Sequence, residues 1–461
     1  MKKITLLALL CAITFPAVSQ SLGYQDLALL FSKDTYSGTA RFNAMSGAFG
    51  ALGGDVSAVK INPAGAAVFK NSLSSSTLSS KSADITSVYY GNSNRTSNNY
   101  SNFSQAGAVF VFNTYANSNW TKFAFDFNYS IRNDFRGRFL ASGNSNFASF
   151  NEFPLDIADP KTQYNNAEIQ QYTNIYEGEI SEYNFAFSGT YQNNLYIGVA
   201  ANTFNLNFKQ QSLLSEQNND GAGTVLNADF FQVNQTIGTG FSLSAGFIYK
   251  ATKKLRLGLS HHTPIWFSEI DEETNITNND GFLGDTEIAI TSNNTTYANT
   301  AGGYYPSQFY SYNLKTPSKT IASFAYIFGS NGLISIDYSL KNYTKMKFSD
   351  TGFTAENQFF QNELKNTYAV NIGSEWRFSA LSIRGGYRYD QNPHIKAFKS
   401  DDIKGYSFGA GYKFGNTQLD FSYQNNSHTA SYDFYPQYNQ VNAADLTIDN
   451  QIITATVTIN L

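Results

Sequence analysis

From about Asn71 to the end of the chain, apolar and polar side chains alternate with a period of two. TKFAFDFNYSI sets Phe123, Phe125, Phe127, Tyr129 and Ile131 on one face and Ala124, Asp126, Asn128 and Ser130 on the other. GFSLSAGFIYK, KLRLGLSHH, LISIDYSLK, ALSIRGGYRYD, YSFGAGYKF and QLDFSYQNN repeat the pattern, and QIITATVTINL ends it. A helix turns by about 100° per residue and cannot keep such a pattern, whereas a strand keeps it by construction. The spacing predicts about 14 strands, an even number that suits a closed antiparallel sheet. They start near Asn71, Ser104, Trp120, Glu182, Asn194, Gly238, Lys254, Ser318, Asn331, Asn366, Ala380, Asp402, Asn416 and Gln451. Short connections, around 116–119, 192–193, 251–253, 330, 379 and 415–416, alternate with long ones over 132–181, 209–237, 268–317, 347–365, 392–401 and 429–449. Tight turns at one end and long loops at the other are the pattern of a transmembrane antiparallel β-barrel, an all-β fold.

A soluble sandwich or propeller also alternates, with its apolar face turned into a core. Three features favour the barrel. The apolar face is rich in Phe and Tyr over many strands, the connections alternate strictly, and the final strand runs to the last residue, where barrel-assembly machinery reads it. Composition agrees: only 14% of the 461 residues are charged, against roughly 25% in soluble domains. The 31 Tyr and 39 Phe supply a greasy exterior, while Asn, Ser, Thr and Gln suit a wet interior. No later stretch reaches the roughly 18 apolar residues of a membrane helix. The 31 basic and 35 acidic residues leave a net charge of −4, and no basic stripe marks a nucleic-acid surface.

The first residues, MKKITLLALLCAITFPAVSQ, read as a secretory signal over 1–19: basic Lys2 and Lys3, an apolar core, and Ala17-Val18-Ser19 before the cut. Cys11, the only cysteine, lies within it, so no disulfide or thiolate metal site is expected in the mature chain. Residues 20–70 do not alternate. A short helix is expected around Asp26 to Ser32, followed by GTARFNAMSGAFGALGGDVSAVKINPAGAAVF, Gly38 to Phe69, with six glycines. This stretch is expected to be a compact plug, or hatch, inside a barrel formed by 71–461. Gly47, Gly50, Gly53 and Gly54 permit unusual backbone angles or close packing. Asp55 is placed to cap a turn, and Asn62-Pro63-Ala64-Gly65 to fix another.

At Asn62-Pro63-Ala64-Gly65 the chain resembles the outer-membrane long-chain fatty-acid and hydrocarbon transporters of the FadL/TodX type. LRLGLSHHTPIWF, LKTPSKTIASFAYIF and ALSIRGGYRYDQNP, with Arg384, Gly385, Tyr387, Asp390 and Pro393, are similar to later segments of that family in the same order. The resemblance implies a 14-stranded barrel closed by an N-terminal hatch. Hydrophobic substrate would be caught on the outer loops, passed to a pocket beside the hatch, and released sideways where the third strand kinks. TKFAFDFNYSI contains neither Gly nor Pro, so the sequence places no kink there.

Strand parity turns Asp126, Arg256, Asp337, Glu375, Arg377, Arg384, Arg388 and Asp420 into the lumen. They form either a structural ion-pair ladder or a partner for a carboxylate, on Asp55 or on a fatty acid. Phe147, Phe150, Phe153, Tyr304, Tyr305, Phe309 and Tyr310 are candidates for a capture groove, or for packing of loop on loop. His261 and His262 point to opposite faces of a strand and do not share a metal. Ser427, His428 and Asp433 offer hydrolase residue types without nucleophile–base geometry. No cofactor and no enzymatic step is expected. The expected partners are outer-membrane lipid, the barrel-assembly machinery and a hydrophobic small molecule, for a chain acting as a monomer. The residues also leave open a non-transporting receptor or structural barrel, and a water-filled porin.

Overall fold

The structure is a computed structural model. It describes residues 22–35, 37–114, 118–153, 160–275, 287–292, 295–298, 308–436 and 438–461. The signal stretch 1–19 therefore lies outside the described residues, as do Tyr304 and Tyr305.

Fourteen antiparallel strands close into one barrel. They are β1 Leu73–Tyr89, β2 Asn92–Asn113, β3 Trp120–Asp134 continued by Gly137–Gly143, β4 Asn166–Tyr191, β5 Leu195–Asn219, β6 Val225–Lys250 and β7 Leu255–His262 continued by Trp266–Asn275. The circuit goes on through β8 Gln308–Lys315 continued by Lys319–Phe328, β9 Gly332–Lys341, β10 Thr367–Phe378, β11 Leu381–Asp390, β12 Ile403–Phe414, β13 Thr417–Tyr432 and β14 Ala444–Asn460. β14 pairs back onto β1, from Leu73↔Asn460 to Val88↔Asp445, so the sheet has no free edge there. Among the described residues no helix is long and apolar enough to cross a membrane.

The side chains are distributed inside out. Phe125, Phe187, Leu257, Ile383, Phe408 and Phe421 are exposed on the outer face, whereas Asp126, Ser335, Asn371, Ser407, Ser422 and Thr454 are buried on the inner one. A soluble sandwich would do the reverse. An exposed apolar surface encircling the molecule is stable against hydrocarbon and not against water.

The start of every strand that begins at the short-turn end falls within two residues of the expectation. Several long connections are shorter than expected. Strand structure extends through 132–134, 137–143 and 166–181, through 209–219 and 225–237, and through 429–432 and 444–449. The stretch 268–317 contains strand over 268–275 and 308–315. The outward face of these extensions is largely polar, as in NSNRTSNNYSN of β2, while the inward face buries Phe139, Tyr172, Leu214 and Phe230. Beyond the hydrocarbon layer nothing requires the outward face to be apolar, so the alternating signal fades while the ladder continues.

β3 is not continuous. Its register against β4 slips between Ile131 and Asn133, leaving Ile131 buried and not on the outer face. The strand breaks at Phe135-Arg136, where the Phe135 amide donates to Gly178 O at 3.1 Å. Gly178 has φ +93°. The interruption that TKFAFDFNYSI failed to announce therefore lies just beyond it, opposite a glycine on the neighbouring strand. Past the break, Gly137–Gly143 still pairs with β4, but the β2–β3 ladder stops at Gln105↔Ser130. The outer half of β2 bonds to β1 alone on the backbone. Side chains bridge the gap instead: Asn102 Nδ2 to Asp134 Oδ2 at 3.1 Å and Thr96 Oγ1 to Arg138 O at 2.8 Å.

An outward-facing charge should cost most at mid-strand. Phe408→Arg is expected to lower the unfolding free energy in lipid vesicles by about 2–4 kcal/mol, read from denaturant titration. A soluble-type core would make the same site on this exposed face nearly neutral.

Candidate functional site

Residues 39–69 lie against the inner wall around most of the barrel. The stretch is built from short capped turns. Thr39 caps α2, Ala40–Ala44, accepting from the Phe42 amide. Asp55 accepts from the Ser57 amide at 2.9 Å, capping a 3-10 turn over Val56–Ala58, and also accepts from Thr39 Oγ1. Asn62 caps a second 3-10 turn, Pro63–Val68, with Pro63 at its start. The Asn62 amide nitrogen also donates to Gly50 O at 2.8 Å and to Phe247 O of the wall at 3.0 Å. Gly47, Gly53 and Gly54 have φ of +76°, +57° and +66°, which only glycine adopts freely. Gly50 packs so closely that an added Cβ would stand 2.1 Å from Ser323 Oγ. Gly53 and Gly65 meet face to face, with a Cβ on Gly53 falling 2.8 Å from Gly65 Cα.

Four of the eight expected lumen charges bond residues 34–52 directly, and three more pair along the wall. Asp337 accepts from the Phe49 and Gly50 amides at 2.9 Å each. Arg256 donates to Leu52 O at 2.7 Å, and Arg388 to Asp34 O at 3.0 Å. Glu375 pairs with Arg41 of the segment at 2.7 Å and with Arg384 at 2.7 Å. Arg384 reaches on to Asp420 at 2.6 Å, and Arg377 Nε donates to Glu375 at 2.8 Å. Arg384 thus pairs with wall carboxylates and not with Asp55, which lies 3.9 Å from Arg41. Asp126 stands apart. It is fully buried and neither carboxylate oxygen has a hydrogen-bond partner among the described residues. Its cross-strand neighbours, Val109 and Ala186, pack with Val56, Val59 and Ala66.

Wall glycines complete the fit, and the sequence reading did not single them out. A Cβ on Gly198 would stand 2.5 Å from the Pro63 and Ala64 backbone, and one on Gly258 would stand 2.5 Å from Gly50 O. Gly373 and Gly386 meet Met45 in the same way, each at 2.6 Å. The wall is thinned to bare backbone where the segment's backbone passes. At the short-turn end a cavity of about 540 Å³ reaches Arg41, Asp55, Glu375, Arg384 and Asp420.

Toward the loop end the lumen changes character. The helix α1, Tyr24–Ser32, buries Leu27, Ala28, Leu29 and Phe31. They pack against Phe135, Phe204, Phe208, Phe267 and Leu314 of the wall and Phe353 and Phe360 of the 342–366 loop. Just past the helix, the buried Asp34 carboxylate pairs with Lys341 at 2.9 Å, Lys319 at 3.0 Å and Arg132. Burial alone would raise its pKa. The three cations, Arg132 foremost, hold it well below the usual carboxylate range. None of these four charged residues, nor Arg41, was marked in the sequence, although parity was available for the wall: Arg132 and Lys341 continue the inward sets of Asp126 and Asp337.

The expected capture aromatics divide. Phe147 packs tilted against Tyr438 with ring centroids 4.8 Å apart, and Phe150 against Phe230 at 6.1 Å. Phe153 packs beside Tyr164 and Leu226. Phe147 thus meets another loop, while Phe150 and Phe153 join loop to wall. Tyr310 contacts Tyr24 of α1 at 6.0 Å, while Phe309 is 73% exposed. His261 faces outward to Thr320, and His262 bonds Ile61 O at 2.9 Å. Ser427 and His428 are adjacent on β13 and so face opposite sides.

Arg41→Met removes the half-buried partner that joins the segment to Glu375, which keeps Arg384 and Arg377. Loss of one charge-assisted hydrogen bond costs about 1.5 kcal/mol, so open events in planar-bilayer recordings should become about tenfold more frequent. Unchanged silence would mean that the pair does not hold the segment.

No profile of a known family matches the chain, and no curated protein sequence matches it. Solved structures do. A FadL homologue from Pseudomonas aeruginosa is 13% identical with a TM-score of 0.59, over 93% of this chain and 99% of that one. The toluene transporter TodX of P. putida and the CymD monoaromatic hydrocarbon channel are each 12% identical with a TM-score of 0.54, over 93% of this chain and 99% of theirs. At such identities the likeness is one of fold: this chain has the barrel architecture of the FadL and TodX channels.

Proposed function

We propose that the chain is an outer-membrane channel for passive, gated uptake of hydrophobic compounds, with residues 20–70 as its hatch. The observation that carries this reading is the inside-out barrel whose lumen is occupied by its own N-terminal segment, with a cluster of apolar side chains above it. Hydrophobic cargo suits that lining, and structures of the same fold are described as a toluene transporter and a monoaromatic hydrocarbon channel. Long-chain fatty acids suit it too, because cations line its inner end. Down a gradient no cofactor is needed. The hatch must have two states, and cargo must favour the open one.

Exit is assigned to the gap between β2 and β3. There the backbone ladder stops at Gln105↔Ser130, and only side chains cross to the far side of the break. A ligand leaving at the inner end of the gap, beside the outward-facing Leu78 and Phe103, would meet the rim of the bilayer without meeting the polar cavity below. The alternative is a receptor that binds at the loops and passes nothing.

Uptake of labelled hexadecanoate and of toluene into proteoliposomes separates the two. Transport faster than in protein-free vesicles is expected, and equal rates would contradict it. Joining Asn102→Cys to Asp134→Cys with a short bismaleimide should stop uptake while leaving ligand binding intact. Undiminished uptake in the cross-linked barrel would move the exit elsewhere.

A further inference from the structure

The end of α1 carries an arrangement that the uptake reading does not by itself explain. α1 is a nine-residue helix, about 14 Å long, and its apolar side packs among Phe and Leu side chains of wall and loop. At Lys33 the chain turns extended, with φ −65° and ψ 144°, and delivers the Asp34 carboxylate to Arg132, Lys319 and Lys341. Lys60 and His262 line the same small cavity of about 50 Å³, with Phe204 and Ile265 as its apolar wall. Glu182, 3.7 Å from Arg132, is the other anion there. Without Asp34 the pocket would hold four cations and one carboxylate.

An apolar rod ending in a carboxylate, packed among apolar side chains with cations at its end, has the outline of a fatty acid. We propose that α1 and Asp34 are an internal stand-in for a carboxylate-headed amphiphile, and that such a ligand enters by displacing them. This rests on the uptake reading and deepens it by naming the ligand class. The exchange is nearly balanced. An incoming carboxylate takes over the charge-assisted bonds that Asp34 gives up, its chain replaces the apolar contacts of Leu27 and Phe31, and Asp34 regains water. A neutral alkane or alcohol can replace the apolar contacts alone. It would have to leave Asp34 in place or strand the cations without their anion. The same exchange couples ligand entry to the segment below, because the chain after Asp34 leads directly into α2 and Arg41.

The test uses the full mature chain in phosphatidylcholine nanodiscs, with Ala28→Cys supplying its only thiol. Ala28 is buried on α1, so a maleimide reports its release. Hexadecanoate is expected to raise the labelling rate by about tenfold or more, and 1-hexadecanol to leave it nearly unchanged. Asp34→Asn should raise the basal rate and tighten hexadecanoate binding by about tenfold. Heat-modifiable gel mobility checks that each variant has its barrel. The proposal is overturned if hexadecanoate leaves the introduced thiol protected, if the alcohol releases it equally, or if Asp34→Asn weakens binding of the acid. Those results together with normal hexadecanoate uptake would sink the stand-in and spare the channel. An absence of uptake for every hydrophobic probe would sink both.

Discussion

Irregular backbone can lie at the depth of a bilayer only where the protein itself supplies its hydrogen bonds. That constraint governs the interior of this barrel. Residues 39–69 contain only short turns, so many of their amides and carbonyls have no partner within the segment. The wall provides them. Asp337 takes two successive amides at Phe49 and Gly50, Thr456 takes the Ala40 amide, and Ser260 and Arg256 give protons to Ile61 O and Leu52 O. The polar inner face is therefore a set of receptors for one particular backbone, and not simply a wet lining.

The same constraint explains the small residues on both sides. Backbone can be bonded by short side chains only if it approaches the wall closely, and close approach leaves no room for Cβ atoms. Glycines at 198, 258, 373 and 386 on the wall answer the backbone of Met45, Gly50, Pro63 and Ala64 in the segment. Charge then fixes position. The chain of Arg41, Glu375, Arg384 and Asp420 ties the segment to three strands at one end, and Asp34 ties it to three others at the opposite end. Asp126, buried and without a hydrogen bond among the described residues, works against this packing. A buried carboxyl left in that way lowers the stability of the packed arrangement.

Much of the barrel was legible because hydrocarbon enforces strict alternation. Strands starting at the short-turn end, such as those at Trp120, Leu255 and Thr417, fell where the pattern put them. The outer halves of β2, β4 and β6 did not, since water on the outward face removes the pattern without removing the ladder. The inward charges were readable by parity as far as Arg388, and parity carried a little further would have reached Arg132, Lys319 and Lys341. The turn caps at Asp55 and Asn62 were legible from local chemistry. Arg41 and Asp34 were not, because a charge in a non-repeating stretch has no face until its neighbours are known. The break in β3 escaped for a similar reason. It is set by a register slip and by Gly178 on another strand, not by a residue in β3 itself.

Amide hydrogen exchange, measured by mass spectrometry on the protein in lipid nanodiscs, tests the central claim most directly. If the wall supplies the segment's hydrogen bonds, peptides covering 39–69 will exchange as slowly as those of the barrel strands, and far more slowly than the outer loops. Exchange of 39–69 at the rate of an unstructured peptide, with the strands still protected, would show that the wall holds nothing and that the barrel stands open.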